Sequence, residues 1–200
     1  MTPRADAGAP APASDDRPRG FDIVRALPRT HLIAVGVASI VLSAACLARF
    51  GLEARTLIGA IFASTLALLT ATDLDRRLIP NVVVLPATAL VLALQIAFYP
   101  DQWVEWIVAT LGAALFFFLP LLIVPTGMGM GDVKLAALLG AALGKSVILG
   151  LFVGLAAGAL VAIAVLLREG LGARKKAIAY GPFLALGGLV ALFAGGGWHT

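Results

Sequence analysis

The sequence is poor in charge, cysteine and histidine. Only 13% of its 200 residues are Asp, Glu, Lys or Arg and 60% are hydrophobic, whereas soluble domains are about a quarter charged and about half apolar. The single cysteine, Cys46, excludes a disulfide within these residues. One cysteine and two histidines, His31 and His199, make no CxxC or HExxH pattern. The composition therefore indicates a membrane protein, and it predicts neither a metal nor another cofactor.

Apolar sequence, in contrast, is abundant. Gly, Pro and charged clusters divide the chain into hydrophobic stretches, most of them near the roughly 20 residues that cross a bilayer: 31–48, 57–72, 82–99, 103–125, 133–144, 146–167 and 178–196. The stretch at 133–144 is short for a full span, and we expect a tight turn at residues 144–146 after it. The predicted fold is an all-α, polytopic membrane helix bundle of six to seven hydrophobic segments, embedded in a lipid bilayer.

Residues 1–30 differ from the rest of the chain. They are rich in Pro, Ala, Asp and Arg and have neither a helical nor a strand period. We predict a disordered cytoplasmic tail at 1–30 and a transmembrane domain at 31–198. A secretory signal is the alternative, because the first apolar stretch ends in small residues; the region before it, however, is long and carries four aspartates.

The basic residues predict the orientation. With a cytoplasmic N-terminus, twelve of the 15 Lys and Arg residues fall on the cytoplasmic side: Arg4, Arg17, Arg19, Arg25, Arg29, Arg76, Arg77, Lys134, Arg168, Arg174, Lys175 and Lys176. The other side receives Arg49, Arg55 and Lys145. This asymmetry follows the positive-inside rule, so we interpret the basic residues as topology signals and expect no nucleic-acid partner. Asp73 and Asp132 then lie in regions that emerge on the same cytoplasmic face.

Carboxylates at the edge of apolar spans on that face occur in two places. "LLTATDLDRRLIPN" carries Asp73 and Asp75, and "PTGMGMGDVKLAALLG" carries Asp132. Ionisable residues in membrane segments are costly and usually functional. Two carboxylates that meet across a bundle can share a proton and activate water against a peptide carbonyl. The pattern therefore predicts a membrane aspartyl protease that uses Asp73 and Asp132, whereas Asp75 points elsewhere on its helix and is interpreted as solvated.

Residues around the aspartates each have two interpretations. Gly127, Gly129 and Gly131 either adopt positive φ and admit a substrate backbone, or form a flexible turn before an ordinary Asp N-cap. Lys134 either snorkels to the interface or steadies Asp132. Asn81 either binds substrate backbone or caps the next helix.

Three motifs together resemble a known family. "DLDRRLIPN" at 73–81, "GMGDVK" at 129–134 and "AYGPFLALG" at 179–187 resemble the type IV prepilin peptidases, polytopic GxGD-type aspartyl proteases of bacterial inner membranes. The resemblance covers about residues 55–196. It implies that Asp73 and Asp132 are the catalytic pair and that the leader of a prepilin-like protein is cut on the cytoplasmic side. It also implies contact with pilus assembly machinery and a supporting or cleft-shaping role for several residues near the pair: Pro80, Asn81, Gly129, Gly131, Lys134, Gly181 and Pro182.

The chain departs from the larger members of that family. Those members carry a cytoplasmic domain with paired CxxC motifs and also methylate the new N-terminus, but this sequence has one cysteine. It resembles the short, peptidase-only branch that serves Flp or tight-adherence pili. We therefore expect no methyltransferase activity.

Two other classes of protein would use these features differently. In a small transporter or channel component, Asp73 and Asp132 would form a proton relay and the glycines a broken-helix ion site. A non-catalytic protein of a pilus assembly machine would need neither aspartate. The position of both carboxylates at span ends favours the protease, because a transporter more often places its carboxylate in mid-span.

Overall fold

The apolar stretches fold into helices joined by short turns. The computed structural model describes residues 20–123, 129–169 and 179–195. Its helices are α1 (Gly20–Arg25), α2 (Arg29–Phe50), α3 (Ala54–Arg76), α4 (Asn81–Phe98), α5 (Trp103–Ile123), α6 (Met130–Leu143), α7 (Val147–Glu169) and α8 (Gly181–Ala194). No β-strand occurs in these three ranges, which confirms the all-α prediction.

The helix lengths are those of a membrane bundle. Helices α2, α3 and α4, α5 with the turn before it, and the 23-residue α7 are long and apolar enough to cross a bilayer. Helix α8 is a shorter apolar helix. Each of the seven predicted stretches coincides with one of the helices α2 to α8, although α3 continues to Arg76 beyond the predicted end at residue 72. The protein is therefore a polytopic membrane helix bundle.

Helix α6 is the centre of this bundle. It has 14 residues, and most of its side chains are buried against α3, α4, α5, α7 and α8. At about 1.5 Å per residue it is roughly 21 Å long, less than the roughly 30 Å of the hydrocarbon core. Gly140 lets its backbone touch α5, because a Cβ at this position would collide with the carbonyl oxygen of Ala109. Helix α6 is thus surrounded by other helices of the protein, so it does not have to match the thickness of the lipid.

The predicted turn after α6 is confirmed as a 3₁₀ turn at Gly144–Ser146. Gly144 has φ +54, and a Cβ there would lie 2.6 Å from the ring of Trp106 at the start of α5. Glu105 accepts the backbone N–H of Lys145 at 3.0 Å, and its carboxylate lies 3.8 Å from the Lys145 ammonium. The end of α6 therefore lies beside the beginning of α5, and the two helices are antiparallel.

Helices α7 and α8 are also antiparallel and approach each other closely. A Cβ at Gly187 of α8 would collide with the carbonyl oxygen of Gly150 on α7. Further along, a Cβ at Gly154 would lie 2.9 Å from the carbonyl oxygen of Phe183. Small residues at such positions allow membrane helices to pack backbone to backbone. This contact fixes the beginning of α8 relative to the rest of the bundle.

The predicted tail at 1–30 needs a correction at its C-terminal part. Helix α1 and the first residues of α2 lie inside that range, and Ile23 and Leu27 are buried. Two buried side chains four residues apart are too few to give a periodic signal, but they pack a short segment near α4. Residues 1–19 of the predicted tail lie outside the described residues.

Candidate active site

The reversals between helices bring four helix ends together. Helix α3 ends, and α4, α6 and α8 begin, at the end of the bundle that carries Asp73, Asp132 and Gly181, called here the aspartate end. Helix α3 packs against all three of the helices that begin there. Residues that are far apart in the chain thereby meet in one place. They belong to the end of α3, the loop after it, and the starts of α6 and α8.

Asp73 lies in the last turn of α3. Only 6% of its surface is exposed, and its Oδ2 accepts the backbone N–H of Gly181 at 2.9 Å. The helix ends three residues later, where Arg77 adopts a left-handed φ of 52° and donates its N–H to the Asp73 carbonyl oxygen. Pro80 disfavours further helix at Ile79. The chain therefore turns back into α4 immediately after presenting the carboxylate.

Asp132 lies in the first turn of α6 and is half-buried. The N-cap is Gly129, so the interpretation of Asp132 as an ordinary N-cap is wrong; it is the third residue after the cap. From there its carboxylate accepts the N–H of Gly129, while its own N–H donates to the Gly129 carbonyl oxygen at 3.1 Å. The side chain that reaches back to the N-cap N–H is one half of a capping box, because the glycine cap has no side chain to supply the other half, and it holds the carboxylate at the start of the helix.

Asp73 is near enough to Asp132 for its charge to act on that carboxyl. One comes from the end of α3 and the other from the beginning of α6, and the two helices pack together. Asp75 is separate from this pair, because its Oδ2 lies 3.3 Å from Nε of Arg76 on the exposed side of α3. The structure thus brings together the two aspartates that the sequence paired and keeps Asp75 apart.

The glycines around Asp132 have different surroundings. A Cβ at Gly131 would lie 3.0 Å from Cβ of Ile79, so this position must stay small for the α3–α4 loop to pack on α6. A Cβ at Gly129 would meet nothing closer than 3.8 Å, which leaves the backbone there open to an approaching peptide. The proposed positive φ is wrong for both residues. Gly127 lies outside the described residues.

Lys134 and Asn81 contact each other. The Lys134 ammonium donates to Oδ1 of Asn81 at 2.6 Å, which joins the N-terminal part of α6 to the first residue of α4. Pro80 is the buried N-cap residue of α4, and Pro182 occupies the first turn of α8. All the supporting residues named from the sequence within the described ranges are therefore near the starts of α4, α6 and α8.

Sequence reasoning missed the Gly181 amide as a partner of Asp73. A Cβ at Gly181 would lie 2.7 Å from Oδ2 of Asp73, so only glycine leaves room for the carboxylate here. Every residue except proline has a backbone N–H, so the residue type does not indicate which N–H is used. The motif around Gly181 pointed to this position, but it did not predict the hydrogen bond to Asp73. Among the described residues no group of three or more His, Cys, Asp and Glu side chains is placed to hold a metal ion.

These features define the class of the protein: it is a helical membrane protein with a pair of carboxylates at the ends of two packed helices. The sequence matches the family model described as "Type IV leader peptidase family" over residues 60–167, and the chain belongs to this family. Asp73 and Asp132 both lie inside the matched range, whereas α2 and α8 lie outside it.

Two curated relatives have the name "Prepilin leader peptidase/N-methyltransferase". The one from Pseudomonas putida is 34% identical over 176 residues, 84% of this chain and 59% of the relative. The one from Bacillus subtilis (strain 168) is 28% identical over 148 residues, 74% of this chain and 59% of the relative. The chain thus spans about three fifths of the length of these relatives. No solved structure matches it significantly.

Proposed function

We propose that this protein is a membrane aspartyl endopeptidase that removes the leader peptide of prepilin-like proteins. The observation that carries the proposal is the pairing of Asp73 and Asp132 across α3 and α6 at one end of the bundle. Membership of the type IV leader peptidase family supports the substrate class. The position at helix ends supports a peptidase over a transporter, because a leader outside the membrane reaches helix ends more easily than the centre of a span.

The proposed chemistry is general acid–base catalysis by the pair. The ionised carboxyl takes a proton from a water molecule as its oxygen attacks the scissile carbonyl, while the protonated carboxyl donates its proton to the carbonyl oxygen. Collapse of the tetrahedral intermediate breaks the C–N bond. The proton taken from water passes to the leaving amine, and a hydroxyl of the intermediate returns its proton to the other carboxylate, which restores the pair. The N–H groups of Gly181 and Gly129 hold Asp73 and Asp132 in position for these transfers.

The proposal includes a location and an orientation. The protein is placed in the bacterial inner membrane with its N-terminus and its aspartate end on the cytoplasmic side, which the distribution of Lys and Arg supports. The peptidase domain is assigned to residues 31–198. We propose no methyltransferase activity, because the peptidase-only branch that the chain resembles lacks the paired CxxC motifs and the sequence holds a single cysteine.

The proposed substrate is a Flp or tight-adherence prepilin, because that branch serves these pili.

Cysteine labelling tests the orientation. Cysteines introduced at Arg77 and Met130, both exposed at the aspartate end, should react with a membrane-impermeant maleimide only after the cytoplasmic side is opened. A cysteine at exposed Asp101, between α4 and α5, should react in intact spheroplasts. Cys46 is buried, so the parent protein serves as the unlabelled control. Labelling of positions 77 and 130 from opposite sides would contradict the proposed site.

Chelation tests the absence of a metal from the mechanism. Because carboxylates can activate water directly, cleavage of prepilin by membranes that contain the protein should be unchanged in EDTA. A reagent that esterifies carboxyl groups should inactivate it. Loss of cleavage in EDTA that zinc restores would assign the reaction to a metallopeptidase instead.

Co-expression tests the function itself. The protein is expressed with each candidate prepilin from a pilus system, and loss of the leader is followed by the shift of the prepilin on a gel. We expect processing of at least one Flp-type prepilin. If none is processed while a known prepilin peptidase processes the same substrates in the same cells, the proposed function is wrong.

A further inference from the structure

An apolar groove lies on the outside of the bundle between α2, α3 and α8. Its volume is about 410 Å³, and among its lining residues only His31 and Thr70 are polar. Five of the others are alanines, contributed by all three helices: Ala34, Ala38, Ala67, Ala71 and Ala185. Small residues in the wall of a membrane groove allow another helix to approach closely.

The groove reaches the aspartate end of the bundle and stops short of the opposite end. Beyond Leu42 and Leu189, which are its last lining residues on α2 and α8, the rings of Phe50 on α2 and Phe193 on α8 stack with their centroids 6.3 Å apart. From Leu42 to His31 the groove follows α2 over twelve residues, a rise of about 16 Å at 1.5 Å per residue. It therefore extends over about half the thickness of the hydrocarbon core.

One end of the groove adjoins the candidate active site. Leu74 and Pro182 line this end, and each directly follows one of the two residues that form the Asp73–Gly181 hydrogen bond. Successive Cα atoms lie about 3.8 Å apart. A chain that leaves the groove there can reach Asp73 within a few residues.

We propose that this groove, between α2, α3 and α8, holds the hydrophobic helix of the prepilin substrate while the adjoining leader lies across the aspartate pair. This inference rests on the proposed function. Helices α2 and α8 lie outside the residues matched by the family model, so two of the three walls of the groove are features of this chain that the family match does not describe.

The lining of the groove favours a helix as the occupant. The alanines on all three walls leave room for the backbone of another membrane helix. Because the groove ends beside Asp73 and Gly181, a helix that fills it brings the adjoining residues of its chain to the aspartate pair.

A second groove provides a matched control. It lies between α5 and α7, has a volume of about 560 Å³, and is lined by apolar residues such as Val108 and Gly112. Glu105 and Lys145 lie at its polar end, beside the α6–α7 turn and away from the aspartate end. The two grooves are comparable in size and polarity but differ in their distance from the aspartates.

Photo-crosslinking distinguishes the two grooves. Benzoylphenylalanine is placed at Ala38, at Ala71 or, as the control, at Val108, each in full-length protein that also carries Asp132→Asn, and membranes with uncleaved Flp-type prepilin are irradiated. We expect a prepilin adduct from positions 38 and 71 and none from position 108. Adducts only with lipid or with a second copy of this chain, or an equal prepilin adduct at position 108, would overturn the inference.

The two proposals fail in different ways in this experiment. Crosslinking requires only that the prepilin binds. Cleavage by the wild-type protein is measured separately, by the gel shift of the prepilin. An adduct without processing supports the groove and contradicts the peptidase; processing without an adduct overturns the groove and leaves the peptidase standing. As a second measurement, Ala38→Phe should raise KM for prepilin about tenfold and leave kcat within about twofold, while Val108→Phe changes neither. An unchanged KM for Ala38→Phe would also overturn the inference.

Discussion

Asp73→Asn and Asp132→Asn are each expected to lower the rate of leader cleavage by about 10³-fold or more. Asparagine is nearly isosteric with aspartate but cannot take up and release the proton that general acid–base catalysis requires. Because the two carboxyls act as one unit, the double variant should be no worse than either single variant. The measurement is the ratio of processed to unprocessed prepilin on a gel, with the amount of membrane-inserted protein checked by immunoblot.

Asp75→Asn is the matched control for this prediction. Asp75 is two residues from Asp73 on the same helix, but it faces Arg76 and is exposed. Its replacement should retain most of the activity. An inactive Asp75 variant beside an active Asp73 variant would show that the wrong aspartate was chosen, and activity in all three single variants would exclude an aspartyl protease.

Gly181→Ala is expected to lower kcat/KM about 10²-fold. The added Cβ would lie 2.7 Å from Oδ2 and 3.0 Å from Cγ of Asp73, so the carboxyl must move away from the amide that holds it. A displacement of about 1 Å in a catalytic group costs about this much. Alanine forms helix better than glycine, so the loss should not come from unfolding of α8.

Gly112→Ala is the control for Gly181→Ala. A Cβ at Gly112, on α5, meets nothing within 4 Å, and this variant should have the activity of the wild type. The comparison uses purified protein at equal concentration, with kcat and KM determined separately. We expect the Gly181 variant to lose kcat more than affinity; wild-type kcat in this variant would show that the Gly181–Asp73 bond has no role in catalysis.

The sequence predicted the helices well because apolar length is a strong signal. Seven stretches became α2 to α8, and the short α6 followed by a turn was expected from the glycine and lysine after Leu143. The meeting of Asp73 and Asp132 at one end was also predictable, since successive helices that cross a membrane reverse direction. Counting spans is enough to place both residues on one face.

The sequence did not predict how the helices pack. Membrane helices are apolar on all sides, so the periodicity that marks the core side of a soluble helix is absent. The contacts of α6 with α5 and of α8 with α7 depend instead on single glycines, Gly140 and Gly187, among many other glycines in the chain. Which of these residues touches a neighbour is a property of the assembled bundle.

The same limit applies to the details of the site. Lys134 and Asn81 each had two interpretations from the sequence, and neither included the hydrogen bond between them, which joins helices 53 residues apart in the chain. One of the two interpretations of Gly131 had it beside a substrate, but it packs against Ile79. Such pairs join separate elements, and a single sequence has no local signal for them.

One measurement tests the central claim, that the aspartate pair activates water to cut a prepilin leader, most directly. Purified wild-type protein and prepilin are combined in liposomes made in ¹⁸O-labelled water, and the released leader is analysed by mass spectrometry after a single turnover. We predict that the wild-type protein releases a leader whose new terminal carboxyl carries one ¹⁸O atom, and that the Asp132→Asn protein releases no leader. Intact prepilin with the wild-type protein, or a leader without ¹⁸O, would contradict this account.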